Sequence, residues 1–207
     1  MIVTKISEVS KSRKKIEIDG GFAFVLYKGE LSVYGIKENC EIKEEDYQEI
    51  MTKILPKRAK LRAMNLLKSR TYTTMQLTEK LKTGGYPPQI IKEAIDYVAS
   101  FGYINDSRYA YDFIEYNKES KSKNRIITDL RRKGISGDMA EEAWEEVVGE
   151  DRQEIEKQQI IKLLEKKHFS PQSATLQESQ KMMAFLYRKG FAIETIRNAL
   201  SLDITTI

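Results

Sequence analysis

Cysteine and histidine are almost missing from this chain: Cys40 is the single thiol and His168 the single imidazole among 207 residues. An internal disulfide is therefore impossible, and with a single Cys and a single His a zinc site, a Cys-His pair and a Ser-His-Asp triad are excluded or nearly so. The sequence has no Walker-type phosphate loop and no Gly-x-Gly-x-x-Gly turn, so nucleotide chemistry has no visible seat. No apolar run approaches the roughly 18 residues of a membrane span. With one thiol and no signal-like apolar start, a soluble protein of the reducing cytoplasm is expected. Tryptophan occurs once, and Trp144 stands at an apolar helical position, which reads as core.

Acidic residues are plentiful, yet Glu141, Glu142, Glu145 and Glu146 flank Ala143-Trp144 at helical spacing and read as a solvated helix face rather than a catalytic pair. The expectation is no enzyme, no cofactor and no metal.

What is present is charge, unevenly spread. Residues 57–134 carry 17 basic and 8 acidic groups, residues 1–56 carry 9 and 10, and residues 135–207 carry 9 and 13. The middle segment thus makes a local positive field suited to nucleic acid or an acidic protein surface, and the run from Asp138 to Glu156 opposes it.

The first 40 residues read as a small antiparallel β meander. Ile2, Val3 and Ile6 lead a strand, Ile16-Glu-Ile18 alternates, Asp19-Gly20-Gly21 signals a tight turn, and Phe22 to Tyr27 is apolar and aromatic. Lys28-Gly29 then reads as a turn into a further extended piece, Leu31 to Tyr34. A helix is expected from Glu44 to just before Pro56, with a new one opening at the proline. Ala59, Ala63, Met64, Leu66 and Leu67 supply its apolar stripe. Thr73 and Gln76 have capping-box spacing, Gly84-Gly85 stops the helix they open, and Pro87-Pro88 starts the next.

The same grammar returns twice. Align Leu81, Leu130 and Leu186: four residues on stand Gly85, Gly134 and Gly190, followed by Tyr86, Ile135 and Phe191. Beyond each glycine come Ala94-Ile95, Ala143-Trp144 and Ala199-Leu200, and before each leucine Leu77, Ile126 and Met182. The anchors are 49 and 56 residues apart, which gives each unit room for three short helices. In the second unit Ser122 is expected to cap a helix Arg125 to Lys133, and Ser136 to open one ending near Gly149. The third is expected to run from Ile155 to Lys166, loosen from His168 through Ser179, resume at Met182 and finish with a helix from about Ile193 to Leu200. The stretch Gly102, Tyr103, Ile104, Asn105, Asp106 joins the first unit to the second. Gly102 suits a left-handed helix end, Asn105 or Asp106 can cap the next helix, and Tyr103 and Ile104 are expected to wedge into both neighbours.

Candidate contact residues are basic: Lys68, Arg70, Lys118, Lys121, Lys123, Arg125, Arg131, Arg132, Lys133, Arg188 and Lys189. If equivalent edges of the units align, they form a strip that tracks phosphates with steep salt dependence. Tyr111 and Tyr116 are the nearest aromatics, so backbone contact is expected over base stacking.

Gly-Tyr-Ile-Asn-Asp-x-x-Tyr-Ala at 102–110, Arg-Ile-Ile-x-Asp-Leu-Arg-Arg-Lys-Gly-Ile at 125–135 and Arg-Lys-Gly-Phe at 188–191 resemble the RecX family of bacterial recombination regulators. Asp-Gly-Gly-Phe-Ala-Phe at 19–24 resembles an N-terminal extension of some members, so the likeness spans nearly the whole chain; the third unit departs most, through residues 168–179. The resemblance implies a mainly α fold of tandem three-helix repeats in an elongated curved array with a small β meander. It also implies a partner, the RecA filament on single-stranded DNA, whose growth, strand exchange, ATPase and co-protease activity are restrained in the DNA repair and SOS setting. The expected division is 1–42 meander, 43–104 first repeat with its lead-in helix, 105–149 second repeat and 150–207 third, acting as a monomer. The competing reading is a freestanding helix-turn-helix DNA-binding protein with Arg125 to Lys133 as recognition helix; a scaffold for another acidic partner is a third.

Overall fold

The structure, a computed structural model, describes residues 1–200, so positions 201–207 of the expected third repeat lie outside the described residues. The chain divides into two compact units, residues 1–105 and 106 onward. The first begins with antiparallel strands β1 (Val3–Ser10), β2 (Arg13–Ile18) and β3 (Gly21–Tyr27) in the order β1-β2-β3. Asp19 and Gly20 make a two-residue hairpin turn, both with positive φ (49° and 83°), and bring Ile18 opposite Gly21. That register sets Ile6, Ile16 and Phe24 across from one another, with Ile16 and Phe24 fully buried.

Leu31 to Tyr34 does not extend the meander. The chain instead forms a short helix, α1 (Lys28–Val33). Glu30 decides this locally: its carboxylate accepts the Tyr27 N–H at 2.7 Å and pairs with the Arg58 guanidinium. Leu31 and Tyr34, three apart, then meet the core from one side while Val33 is 79% exposed. The apolar alternation that suggested a strand fits one helical turn equally well.

The break expected before Pro56 is also absent. Helix α2 (Glu44–Glu49) passes through a π turn, Ile50–Ile54, directly into α3 (Leu55–Ser69). Proline has no N–H to give the preceding turn and its ring crowds the carbonyl four residues back; widening that turn relieves both without ending the helix. Helices α4 (Thr74–Thr83) and α5 (Pro88–Ser100) complete the unit. Thr73 and Gln76 form the expected reciprocal cap, Gln76 N–H to Thr73 Oγ1 at 3.2 Å and Thr73 N–H to Gln76 Oε1 at 3.3 Å. Sheet and helices share a single core in which Val3, Ile16, Phe24 and Leu26 join Leu55, Leu77, Leu81 and Val98.

The second unit runs α6 (Asp106–Asn117), α7 (Lys123–Arg132), α8 (Gly137–Val148), a 3-10 turn (Gly149–Asp151), α9 (Arg152–Lys166), α10 (Leu176–Arg188) and α11 (Ile193–Ala199). One apolar cluster joins Ala110, Ile114, Ile126, Leu130 and Trp144; another joins Ile160, Leu164, Leu186, Phe191, Ile196 and Leu200. Trp144 is 1% exposed, as its periodic position implied. Helix α10 starts six residues earlier than Met182, because Thr175 and Glu178 form a second capping box: Thr175 Oγ1 accepts the Glu178 N–H at 3.3 Å and Glu178 accepts the Thr175 N–H at 2.8 Å. The polar composition of residues 170–180 hides that start.

The three aligned glycines end their helices in one way. Gly85, Gly134 and Gly190 have φ of 84°, 91° and 94°. In each case the following N–H returns to the aligned leucine carbonyl: Tyr86 to Leu81 at 3.4 Å, Ile135 to Leu130 at 3.1 Å and Phe191 to Leu186 at 3.4 Å. All three leucines are fully buried, and the residues after the glycines are largely buried beside them. This is the glycine-closed helix end in which a left-handed residue lets the last carbonyls be satisfied.

Candidate functional site

The joint between the units obeys the same rule. Gly102 has φ of 68°, its N–H reaches Ala99 at 2.8 Å, and Tyr103 returns to Val98 at 3.0 Å. Ile104 is buried with the first unit's core, whereas Tyr103 is 56% exposed and stacks on Phe101. Of the two residues expected to wedge, only Ile104 is buried, and it joins the first unit's core; a tyrosine hydroxyl is easier to leave in water than an isoleucine. Asn105 stands just before α6 and Asp106 is its first residue.

The basic candidates fall into distinct settings. Lys68 and Arg70 are exposed at the end of α3, and the Arg70 guanidinium lies 4.3 Å from the centre of the buried Tyr72 ring. Lys118 pairs with Glu115 at 2.9 Å. The Lys118 carbonyl accepts a hydrogen bond from the Gln159 amide, which also donates to Lys121 O at 2.9 Å, so α9 holds the turn between α6 and α7. Lys121 and Arg125 converge on Asp129, at 3.0 and 3.3 Å. Burial pushes the Asp129 carboxyl up, but the Lys121 hydrogen bond and the charges of Lys121, Arg125 and Arg132 outweigh it and hold the group below its ordinary value.

Lys123 is largely covered. Its ammonium bridges Glu141 at 2.8 Å and Glu145 at 3.1 Å and stands 5.8 Å from the Trp144 ring centre, so this lysine ties α7 to α8. Its side chain is only 14% exposed, which makes it a structural cation more than a contact group. The same pairing means that Glu141 and Glu145, read from the sequence as a solvated face, serve partly as its counter-ions. Lys133 lies 5.4 and 5.8 Å from the Phe113 and Tyr109 rings. Arg131 and Arg132 are exposed, the former folded over the start of α8 close to Gly137. Arg188 and Lys189 are exposed at the end of α10, with Lys189 5.6 Å from the Phe185 ring centre.

The tertiary fold brings two of these groups together. Ser122 precedes α7, as expected of a cap, but its hydroxyl leaves the helix end and donates to Lys189 O at 2.6 Å. Asn124 donates to Gly190 O at 3.0 Å. A Cβ at Gly190 would lie 2.8 Å from Ser122 Oγ and 3.2 Å from Asn124 Cβ, so only glycine admits this approach. The basic end of α10 is thereby seated against the basic start of α7. No periodicity in the sequence could reveal a contact 66 and 67 residues apart.

Among the described residues no group of three or more His, Cys, Asp or Glu could hold a metal ion, and no helix is long and apolar enough to cross a membrane. A cleft of about 570 Å³ opens in the first unit beside Phe22, Tyr86, Ile91 and Ile95. Its charged groups are already paired, Lys82 with Glu79 at 3.6 Å and Lys92 with Asp96 at 2.6 Å.

Comparison with known proteins agrees with the repeat pattern. Family models described as the first, second and third three-helix domains of RecX match residues 59–97, 105–143 and 154–200. A "Regulatory protein RecX" from Caldanaerobacter subterraneus subsp. tengcongensis is 34% identical over 98% of this chain and 100% of the relative. Another, from Bacillus subtilis, is 28% identical over 96% of this chain and 75% of the relative. A crystal structure of regulatory protein RecX shares the fold with a TM-score of 0.64 at 22% identity, covering 98% of this chain and 99% of that one. The RecX structure from Lactobacillus salivarius gives 0.62 at 23% identity, covering 72% and 99%. Three glycine-closed helical trios, in the order and at the positions of the matched domains, together with a full-length relative of this identity, mean that the chain belongs to the RecX family.

Proposed function

We propose that this protein regulates a RecA-type recombinase by lying against its filament on single-stranded DNA in the cytoplasm, as a monomer. Contact there restrains filament growth, strand exchange, ATP hydrolysis and co-protease activity without any bond being made or broken. Family membership supports the partner. The observation that carries the contact surface is the seating of the Arg188–Lys189 helix end against the start of α7, the helix that also carries the exposed Arg125 and Arg132. Positive groups drawn from two repeats suit a polymer that presents phosphates and acidic side chains repeatedly along its length.

The helix-turn-helix reading is less well supported. A recognition helix enters the major groove by its N-terminal residues, and here the start of α7 is already bonded through Ser122 and Asn124 to the α10 end.

Reversing Arg131 and Arg132 to glutamate tests the proposal. Both side chains are exposed, and a carboxylate at 131 would sit near the start of α8, where negative charge is favoured, so the fold should survive. Binding to RecA-coated single-stranded DNA should weaken on the order of tenfold, with a matching loss of ATPase inhibition. Full inhibition by the double variant would overturn the proposed contact face. A preference of the parent protein for naked duplex, with no effect on ATP hydrolysis, would favour the helix-turn-helix reading.

A further inference from the structure

Three aromatic rings make a row at the end of α5. Tyr97 meets Phe101 edge-on, with centres 5.0 Å apart at 64°, and Phe101 stacks on Tyr103, with centres 5.7 Å apart at 19°. Phe101 and Tyr103 are 57% and 56% exposed. Large rings left in water as a stacked pair are unusual enough to need an explanation. Beside the row runs α3, from which the Lys60 ammonium lies 5.2 Å from the Tyr97 ring centre while pairing with Glu93 at 2.6 Å. Lys57, one turn earlier on the same face, is exposed and forms no ion pair among the described residues.

We infer that Phe101 and Tyr103 form a stacking platform for unpaired bases of a single-stranded nucleic acid, with Lys60 beside Tyr97 and Lys57 on the same face of α3 to meet the phosphates. Two near-parallel rings, each more than half exposed, offer an unenclosed planar stack, which matches a flat base better than a branched apolar side chain. The Lys60 ammonium next to the Tyr97 ring offers a partner for what a base carries with it and an apolar peptide anchor does not, a phosphate. The positive balance of residues 57–134 points the same way. Glu93 offsets part of the Lys60 charge, so Lys57, one turn away on α3, carries the charge left for a phosphate.

The inference shares with the proposed function only the presence of single strands, and naked strands separate the two. The full chain is titrated against a fluorescein-labelled 20-mer of thymidines, an abasic strand of equal length and a strand carrying 2-aminopurine. The thymidine strand should bind about tenfold tighter than the abasic one, and 2-aminopurine fluorescence should be quenched on binding. Phe101→Ala with Tyr103→Ala should remove both effects while the dependence on salt, set by phosphate contacts, stays as it was. Lys57→Glu should lower the salt slope by about one unit. Because both rings are exposed, the thermal melting of the double alanine variant should match that of the parent. Equal affinity for thymidine and abasic strands, or parent-like quenching by the double variant, overturns the platform. So does a double variant that binds naked strands normally but no longer inhibits RecA, since the rings would then be meeting protein.

Discussion

Gly190→Ala tests the seat between the second and third repeats more directly than any other substitution. The new methyl group would sit at φ of 94° and lie 2.8 Å from Ser122 Oγ and 3.2 Å from Asn124 Cβ. Holding a residue with a side chain in the left-handed region costs about 1–2 kcal/mol. The Ser122 hydroxyl can make room only by giving up Lys189 O, and the backbone shift threatens the Asn124 bond to Gly190 O; each is worth about 0.5–1.5 kcal/mol. The expected loss is therefore about 2–5 kcal/mol, concentrated in α9 to α11. Gly102→Ala is the control, because its φ of 68° carries the same strain while nothing lies within 4 Å of the added carbon. Native-state hydrogen exchange reads the result locally, which matters because this chain is larger than one cooperative unit. Protection in α10 and α11 should fall in Gly190→Ala, and in Gly102→Ala it should not. If the two variants lose the same stability, the α10 end is not held by Ser122 and Asn124, and the combined basic face loses its basis.

Two further outcomes follow from single side chains. Asp129 is held below its ordinary value by Lys121, Arg125 and Arg132, so its stabilising contribution is complete above its unfolded value of about 3.9 and disappears as pH falls through the lower folded value; Asp129→Asn should flatten the acid side of the urea-midpoint profile and leave the slope near neutrality unchanged. Thr175→Ala removes the box that starts α10 and should cost about 1 kcal/mol, seen as faster exchange in the first turn of that helix with little change in α7.

Some features of this protein were legible residue by residue, because the forces that fix them act within one or two turns of chain. The three glycine-closed helix ends, the Thr73–Gln76 box, the Asp19-Gly20 turn and the burial of Trp144 all belong here. In each, the sequence spacing and the bond geometry are the same fact. Where two local rules compete, the spacing was ambiguous. Leu31 to Tyr34 satisfies strand alternation and a single helical turn alike, and Glu30, pairing with Arg58 of a later helix, favours the turn. Pro56 marks a helix start by propensity, but a π turn lets the helix run on through it. The candidate surface belongs mostly to this second kind of information. Its residue types could be named, yet which lysines remain free depends on carboxylates from other helices: Lys123 is taken by Glu141 and Glu145, while Arg132 stays exposed.

Helix-scale periodicity, together with glycine at the positions that require a left-handed backbone, determined a mainly α chain of three like trios behind a small sheet. Only the tertiary structure decided that Ser122 would turn its hydroxyl from its own helix to Lys189, and that Phe101 and Tyr103 would stack in the open rather than fill the joint. Both outcomes rest on partners brought together by packing, across a gap in the sequence or at the end of a helix, where the strength of a bond depends on distance in space and not along the chain.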